Sequence, residues 1–333
     1  MNVWTNQVVV SFSFRRKEKN VMRNCTPELL LAEYRFTFTA RDRLTLPEFS
    51  DPLRRSVFGL ALHQQSCIAP NADCSDCMLR HQCDFAFFIK GPRPPEAEMM
   101  RKVGTVPLPH IFHSEQCGAA NISPGGQFSH GLVLAGAACK RLPAVVRAMA
   151  KSGQLGFGSD RAKAELVQVS QILPSGQRLI WEQQGEVRES IMEPMPMPPA
   201  PAAVRLQFLT PYLPSDKAFR PDTLEISRLL MAVIRRVSLL QYFYMGCPLE
   251  ADFRALKERA AQSELISIDL RPHTSTCWSA RQGRVVEFRG FLGTVDFAPA
   301  EPELFWPFLL LGQRLHIGKQ ASKGFGRYQL LER

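Results

Sequence analysis

The sequence predicts an α+β protein in which the element order β-α-β-β-α-β occurs twice. A proline-dense stretch, residues 193–203, divides the chain. On either side of it, hydrophobic periodicity alternates in the same order between the two-residue repeat of strands and the 3.6-residue repeat of helices. Both halves also carry a Gly-Phe-Gly core before the last strand, at Gly156 and Gly158 and again at Gly324 and Gly326. This order is that of the ferredoxin-like fold.

The proline-dense stretch defines the domain boundaries that we expect. Because proline lacks a backbone N–H, residues 193–203 are predicted to form an extended linker. An N-terminal extension is expected at residues 1–26, a first ferredoxin-like domain at 27–192 and a second at 204–333. A cysteine-rich insertion at residues 67–90 belongs to the first domain.

The second half has the clearer pattern. Asp222 is a candidate cap for a long amphipathic helix, and Gly312 is expected to end a short apolar one. The predicted elements are a strand at 204–209, the helix after Asp222, strands at 265–270 and 284–297, a helix at 301–311, and strand segments at 314–317 and 327–331.

The first half repeats this order with weaker signals. Pro52 and Pro143 each fit the first turn of a helix, where a missing N–H costs nothing. The predicted elements are a strand at 29–39, the helix from Pro52, strands at 110–113 and 127–135, the helix from Pro143 and a strand at 162–169.

The composition limits the class of protein. With 41 basic and 31 acidic residues among 333, the net charge is +10, and such an excess attracts polyanions, of which nucleic acid is the commonest. No apolar run reaches the roughly 18 to 20 residues that a membrane span needs. Nine cysteines, four of them clustered, suit a reduced cytoplasm better than a disulfide framework.

The two glycine-rich loops are suited to holding a nucleic-acid backbone. Glycine permits positive φ and lets backbone N–H groups approach a phosphate closely. A Walker A loop is excluded, because it places Lys-Ser/Thr after its last glycine. The alternative is a tight connection in which glycine only relieves strain, and the denser basic residues favour binding at the second loop. The candidate contacts are Gly318, Lys323, Gly324, Gly326, Arg327 and Arg314 around the second loop, and Gly156, Gly158 and Arg161 around the first.

Four cysteines form the pattern C-x₆-C-x₂-C-x₅-C: Cys67, Cys74, Cys77 and Cys83. Four thiolates suit tetrahedral zinc or an iron–sulfur cluster, and zinc is the preferred interpretation. Such a site would be structural, because four cysteine ligands leave no open position for catalysis. The alternative is four unligated cysteines.

The C-terminal residues 315–319 (LHIGK) and 323–328 (KGFGRY), with the tandem architecture, resemble the RAMP superfamily of CRISPR-associated proteins. The closest likeness is to its repeat-processing endoribonuclease, the sixth Cas family. Residues 291–297 (FLGTVDF) and 308–312 (FLLLG) share in the resemblance, as does the first Gly-Phe-Gly. It extends from about Pro27 to the end of the chain.

The resemblance implies cleavage of the repeat in a long CRISPR transcript, which releases guide RNAs (crRNAs). No metal is needed: the RNA 2′-OH attacks the adjacent phosphate and leaves a 2′,3′-cyclic phosphate and a 5′-OH. The implied partners are repeat RNA, a crRNA product that remains bound, and other Cas effector subunits, with no membrane involved. One alternative is a non-catalytic RAMP subunit that binds crRNA. Another is an iron–sulfur nucleic-acid enzyme that only resembles the family.

Three residues are candidates for catalysis. Histidine titrates near neutral pH and can move a proton, and His63 lies near the end of the first helix, where many members of the family place a catalytic histidine. His316 directly precedes the second glycine loop, and Lys319 within that loop is expected to stabilise the phosphate. A surface role for His63 and a structural role for His316 are the alternatives.

Overall fold

A computed structural model describes residues 27–70, 73–102, 104–114, 118–183, 185–216, 219–279 and 284–333. The predicted extension at residues 1–26 lies outside this described part. The fold is α+β, with two larger antiparallel sheets and helices packed against them.

In its described residues, the first half contains seven strands and two α-helices. They are β1 (Leu31–Ala40), β2 (Leu44–Leu46), α1 (Asp51–Ser66), β3 (His110–His113), β4 (Ala120–Ile122), β5 (Gln127–Ala135), α2 (Leu142–Leu155), β6 (Ala164–Leu173) and β7 (Gly176–Glu182). The main sheet has the order β3-β5-β1-β6-β7, while β2 and β4 form a small separate pair. The first four strands of that order are arranged as in a ferredoxin-like domain.

The second half has the same topology. Its elements are β8 (Val204–Tyr212), α3 (Ile226–Met245), α4 (Phe253–Ala260), β9 (Glu264–Ser279), β10 (Arg284–Ala298), α5 (Pro302–Leu315) and β11 (Tyr328–Glu332). The sheet order β11-β8-β10-β9 is equivalent to β6-β1-β5-β3 of the first half. The predicted repeat of one topology therefore appears in the sheet order.

The apolar periodicity explains which faces are buried. Tyr34, Phe36 and Phe38 alternate along β1 and are fully buried, as the two-residue repeat of a half-buried strand requires. Ile111 and Val133, on β3 and β5, belong to the same apolar cluster as the core of the second half. The two halves therefore share buried surface.

Three predicted element boundaries were wrong. Asp222 lies in a single 3₁₀ turn, and Glu225 precedes α3 instead. Gly312 lies inside α5, which ends at Leu315. A side chain at Gly312 would overlap the Tyr328 hydroxyl, so glycine lets α5 and β11 approach closely. Residues 314–317 are consequently the last turn of α5 and the start of a loop rather than a strand.

The proline-dense segment contains no regular element in its described residues. It is nevertheless held against the second half, since the Trp306 indole Nε1 donates to the Pro198 carbonyl oxygen at 2.8 Å. Met195 and Met197 pack on the same apolar cluster. The segment thus crosses the surface of α5 in an extended conformation.

Candidate nucleic-acid interface

The second glycine loop, residues 318–327, lies between α5 and β11. Its path depends on left-handed backbone, with φ of 85° at Gly318, 90° at Gly324 and 69° at Gly326. A Cβ on Gly326 would overlap the carbonyl oxygen of Ile317. Glycine is therefore required at this position by both conformation and space.

Hydrogen bonds to the end of β8 hold the loop in place. The Lys319 N–H donates to the Leu213 carbonyl at 2.7 Å, and the Gly326 N–H donates to the Pro211 carbonyl at 2.9 Å. The Thr210 hydroxyl donates to the Gly324 carbonyl at 2.7 Å. Because these N–H groups are already used, contact with an anion falls largely to the side chains of the loop.

The loop also docks on the first half at the start of α1. Gly324 packs against the Asp51 carboxylate with no room for a side chain. The Ser114 hydroxyl donates to Asp51 Oδ1 at 2.6 Å, and Arg54 donates to the Ser114 hydroxyl at 2.9 Å. The Arg327 guanidinium donates to the Ser114 carbonyl. These contacts fix the loop against α1.

Two cations meet at this junction. The Lys323 ammonium lies 5.3 Å from the ring centroid of Phe288. Burial and the nearby Arg55 guanidinium lower the pKa of Lys323, against an opposing effect of the Cys277 thiol. Burial also lowers the pKa of Arg55 to about 10.

Neither cation has a counter-ion in the part of the chain that the structure describes. Within the described residues, Arg55 and Lys323 form no salt bridge, and the buried Arg55 Nε has no hydrogen-bond partner. The Arg55 Nη2 makes one long contact, 3.5 Å, with the Ile89 carbonyl. Burying charge without a partner is costly, and such perturbed groups cluster at functional sites. The junction, which we call the Arg55–Lys323 site, is therefore suited to an anion.

The other predicted cations of the loop divide into two groups. Lys319 is exposed to solvent beside the junction. Arg314 forms an ion pair with Glu33, and Arg327 bonds Ser114. Lys319 therefore faces solvent, whereas the two arginines join the halves of the molecule.

His316 is buried, with 1% of its surface exposed. Burial is the main cause of a pKa well below the usual range, and His113, Arg327 and Arg236 add to it. The ring is therefore neutral and enclosed, and it does not face solvent. Its predicted catalytic role stays a prediction, and its burial favours the structural alternative.

A buried polar cluster lies between the halves near His316. His113 Nε2 is 3.3 Å from the Glu33 carboxylate, which also pairs with Arg314. Burial alone would raise the pKa of Glu33, but His113, Arg314 and Arg327 together outweigh it, and the pKa is lowered. The cluster holds charge of both signs and is a structural contact.

His63 lies at the opposite end of α1 from the Arg55–Lys323 site. Its half-exposed ring packs edge-on against Phe85 with centroids 4.7 Å apart. Eight residues separate Arg55 from His63, which corresponds to about 12 Å along the helix axis. His63 therefore adjoins the cysteine-rich insertion.

The first glycine loop is a compact turn at the end of α2. Gly156 and Gly158 have φ of 89° and 78°, and a side chain on Gly156 would overlap the Arg161 carbonyl. The buried ring of Phe157 packs edge-on against Phe38, with centroids 5.6 Å apart. This geometry fits the alternative in which glycine serves the turn itself. Arg161 is exposed, and its predicted RNA contact stays a prediction.

The four clustered cysteines line one cavity of about 150 Å³. They are half-buried thiols outside any disulfide, and the proximity of Cys67 and Cys83 adds to burial in raising the pKa of Cys74. Among the described residues, no three metal-binding side chains are already gathered around one point.

Sequence reasoning missed Arg55 and Phe288. Arg55 lies on the polar side of an amphipathic helix, where a charged residue is ordinary. Phe288 alternates along β10 like any strand aromatic. The only feature of the sequence that pointed to Arg55 was its adjacency to Arg54 at the start of a helix.

Comparison with known proteins extends this description. The model of the CRISPR-associated endoribonuclease Cas6 family matches residues 206–328, and an N-terminal domain family, AF_1859_N, matches residues 29–192. Among curated proteins, none matches the chain significantly.

Solved structures share the fold. A Cas6 product complex of Thermus thermophilus has 14% identity and a TM-score of 0.54, covering 91% of this chain and all of its own. A partial complex of Cas6-RT-Cas1 with Cas2 has 12% identity and a TM-score of 0.50, covering 90% of this chain and 46% of its own.

The second half matches the Cas6 family model over residues 206–328, the family that the C-terminal motif resembles. The fold is shared along nine-tenths of the chain with a solved Cas6 structure. No described helix has both the length and the apolar character to cross a membrane.

Proposed function

We propose that this chain is an endoribonuclease that cleaves CRISPR repeat RNA and releases crRNA. Cleavage proceeds without metal: the 2′-OH attacks the adjacent phosphate and leaves a 2′,3′-cyclic phosphate and a 5′-OH. The match of residues 206–328 to the CRISPR-associated endoribonuclease Cas6 family supports RNA cleavage. The observation that carries the proposal is the Arg55–Lys323 site, where two cations that have no counter-ion among the described residues lie at the same junction.

The charges of this site fit the reaction. Attack on the phosphate creates a phosphorane with additional negative charge, and fixed cations in a water-poor site stabilise such charge strongly. Arg55 presents a planar set of N–H donors that matches a phosphate. Lys319, exposed beside the junction, would bind the neighbouring backbone and fix its register. The protein itself thus supplies the positive charge that a metal would otherwise supply.

We also propose that the crRNA product stays bound and that other Cas proteins associate with the chain. The solved relatives with the same fold include a Cas6 product complex and a complex with Cas1 and Cas2. The net charge of +10 supports retention of an RNA. The second candidate function, a non-catalytic crRNA-binding subunit, is favoured by the burial of His316, which removes one predicted catalytic histidine from solvent.

Labelled repeat RNA incubated with the purified protein in EDTA tests this proposal. We expect one cut, a cyclic phosphate on the upstream fragment and no cut when the 2′-OH is replaced by hydrogen. Arg55→Gln should slow cleavage about 100-fold or more, the usual cost of removing one charge-stabilising donor. Arg254→Gln, an exposed arginine on α4, is the matched control.

Tight binding without a cut at any tested site would overturn the proposal in favour of the second candidate. His63→Ala and Lys319→Ala belong in the same assay. Loss of cleavage with His63→Ala would locate the chemistry at the cysteine end of α1 instead of at the Arg55–Lys323 site.

We further propose that Cys67, Cys74, Cys77 and Cys83 hold a structural metal, with zinc preferred over an iron–sulfur cluster. All four line one cavity. The surrounding insertion leaves Ile68 80% and Met78 97% exposed, so it has little apolar core of its own. Short segments of this kind are commonly stabilised by a bound metal, and a four-thiolate set suits zinc.

Elemental analysis of the purified chain tests the metal proposal. We expect one zinc per chain, lost in Cys74→Ser and kept in Cys247→Ser, a cysteine outside the cluster. If the analysis found iron together with acid-labile sulfide, the bound group would be an iron–sulfur cluster instead of zinc. A chain without stoichiometric metal would overturn the proposal.

A further inference from the structure

We propose that Lys323 is the general base of this site and takes the proton from the attacking 2′-OH. The inference rests on the proposed function and assigns a catalytic role to a residue that the sequence had placed only among RNA contacts. Its basis is the position of the Lys323 ammonium between α1, the β9–β10 hairpin and the second glycine loop.

The position of Lys323 is fixed by the loop. It is the last residue of the 3₁₀ turn Ala321–Lys323, and its N–H donates to the Gln320 carbonyl at 2.8 Å. The next residue, Gly324, is held against Asp51 at the start of α1. A catalytic group needs such a fixed backbone, because small displacements reduce proton transfer steeply.

The groups that face Lys323 come from three elements. Arg55 faces it from α1, Cys277 from β9 and Phe288 from β10. The Phe288 ring itself attracts the ammonium, but burial removes water from it and the guanidinium repels its charge. Both effects favour the neutral amine, and the Cys277 thiol opposes them more weakly. Desolvation beside a second cation is a known way to make lysine reactive near neutral pH.

Other ionisable groups near the junction serve the role less well. Arg55 stays protonated near neutral pH and cannot accept a proton. Asp51 and His316 are enclosed in the protein, and Lys319 lies in open solvent. His63 lies about 12 Å farther along α1. Lys323 is therefore the proton acceptor that shares the junction with Arg55.

The proposed step is balanced. The lone pair of neutral Lys323 Nζ takes the 2′-OH proton while O2′ forms a bond to phosphorus. The bond from phosphorus to O5′ breaks, and O5′ takes a proton from water. Lys323 then loses its proton to solvent. Arg55 keeps its charge throughout and donates to the non-bridging oxygens.

Single-turnover cleavage of repeat RNA measured against pH tests this role. For the wild type, we expect the rate to rise tenfold per pH unit and then level off. Lys323→Arg keeps the charge and should bind RNA normally, yet cleave 100-fold or more slowly, as the loss of a general base predicts. Arg55→Gln should move the midpoint of the rise to higher pH, because removing a neighbouring cation favours the protonated amine.

Lys257→Met, on the exposed side of α4, is the control and should match the wild type. A wild-type rate and profile in Lys323→Arg would overturn the role of Lys323 while leaving the proposed function intact. Absence of any cleavage by the wild type would instead overturn the proposed function. RNA affinity and melting temperature, measured for every variant, separate catalytic loss from misfolding.

Discussion

The two glycine loops share a Gly-Phe-Gly core and occupy equivalent places in the two halves, yet they pack against different neighbours. In each, the phenylalanine is almost fully buried, Phe157 in the first and Phe325 in the second. The first loop closes on its own domain, whereas the second docks on α1 of the other half and carries Lys323 to Arg55. The shared core therefore builds the turn, and the neighbours of the turn determine its chemistry.

The largest expected effect comes from adding a methyl group to each loop. Gly326→Ala forces both left-handed backbone and an overlap with the Ile317 carbonyl, so it should lower the free energy of unfolding by more than about 3 kcal/mol. Gly158→Ala meets no atom within 4 Å and suffers only the backbone strain, about 1 kcal/mol. Urea denaturation of both variants measures the difference, and equal losses would contradict the comparison.

Much of the fold was predictable because it depends on local periodicity. The alternation around Tyr34, Phe36 and Phe38 predicts β1, and Pro52 predicts the start of α1 within one residue. The prediction that Gly312 ends a helix was wrong, because the role of this glycine depends on the approach of Tyr328 from a strand farther along the chain. A glycine in sequence does not reveal whether it ends a helix or allows close packing.

The candidate site was predictable only in part, for the same reason. The basic residues around the second Gly-Phe-Gly indicated Lys319 and Lys323. The partner of Lys323 is Arg55, 268 residues away, and no periodicity reports a contact between two halves of a molecule. His316 illustrates the converse, since its position beside the loop suggested exposure and the packing of α5 buries it.

An effect of intermediate size is expected on the pH dependence of stability. It comes from two buried histidines, one near each loop. His316 precedes the second loop, and His130 stacks on Phe38, which in turn packs against Phe157 of the first. Burial lowers the pKa of both well below its usual range. Each contribution is therefore present above the unfolded pKa of about 6.5 and is lost as the pH falls below it.

Below about pH 6.5, each histidine should reduce the free energy of unfolding by about 1.4 kcal/mol per pH unit. Denaturation at several pH values measures this slope. Asparagine tolerates the φ of 56° at position 316. His316→Asn should therefore remove one proton from the uptake on unfolding, which lowers the slope by about 1.4 kcal/mol per pH unit. His130→Phe should do the same. Arg254→Gln should leave it unchanged. A slope that neither histidine variant alters would show that these rings are protonated in the folded protein.

The smallest expected effect compares one exposed cation of each loop. Lys319 lies beside the Arg55–Lys323 site, while Arg161 lies on the compact first loop. Lys319→Ala should weaken RNA binding a few-fold and reduce the slope of log affinity against log salt by about 0.7, the value for one phosphate contact with a single strand. Arg161→Ala should leave both quantities unchanged, because no unpaired cation site adjoins it among the described residues. Titration of repeat RNA at several salt concentrations measures both. Equal losses from the two variants would show that both loops hold the RNA backbone and that the compact geometry of the first does not exclude it.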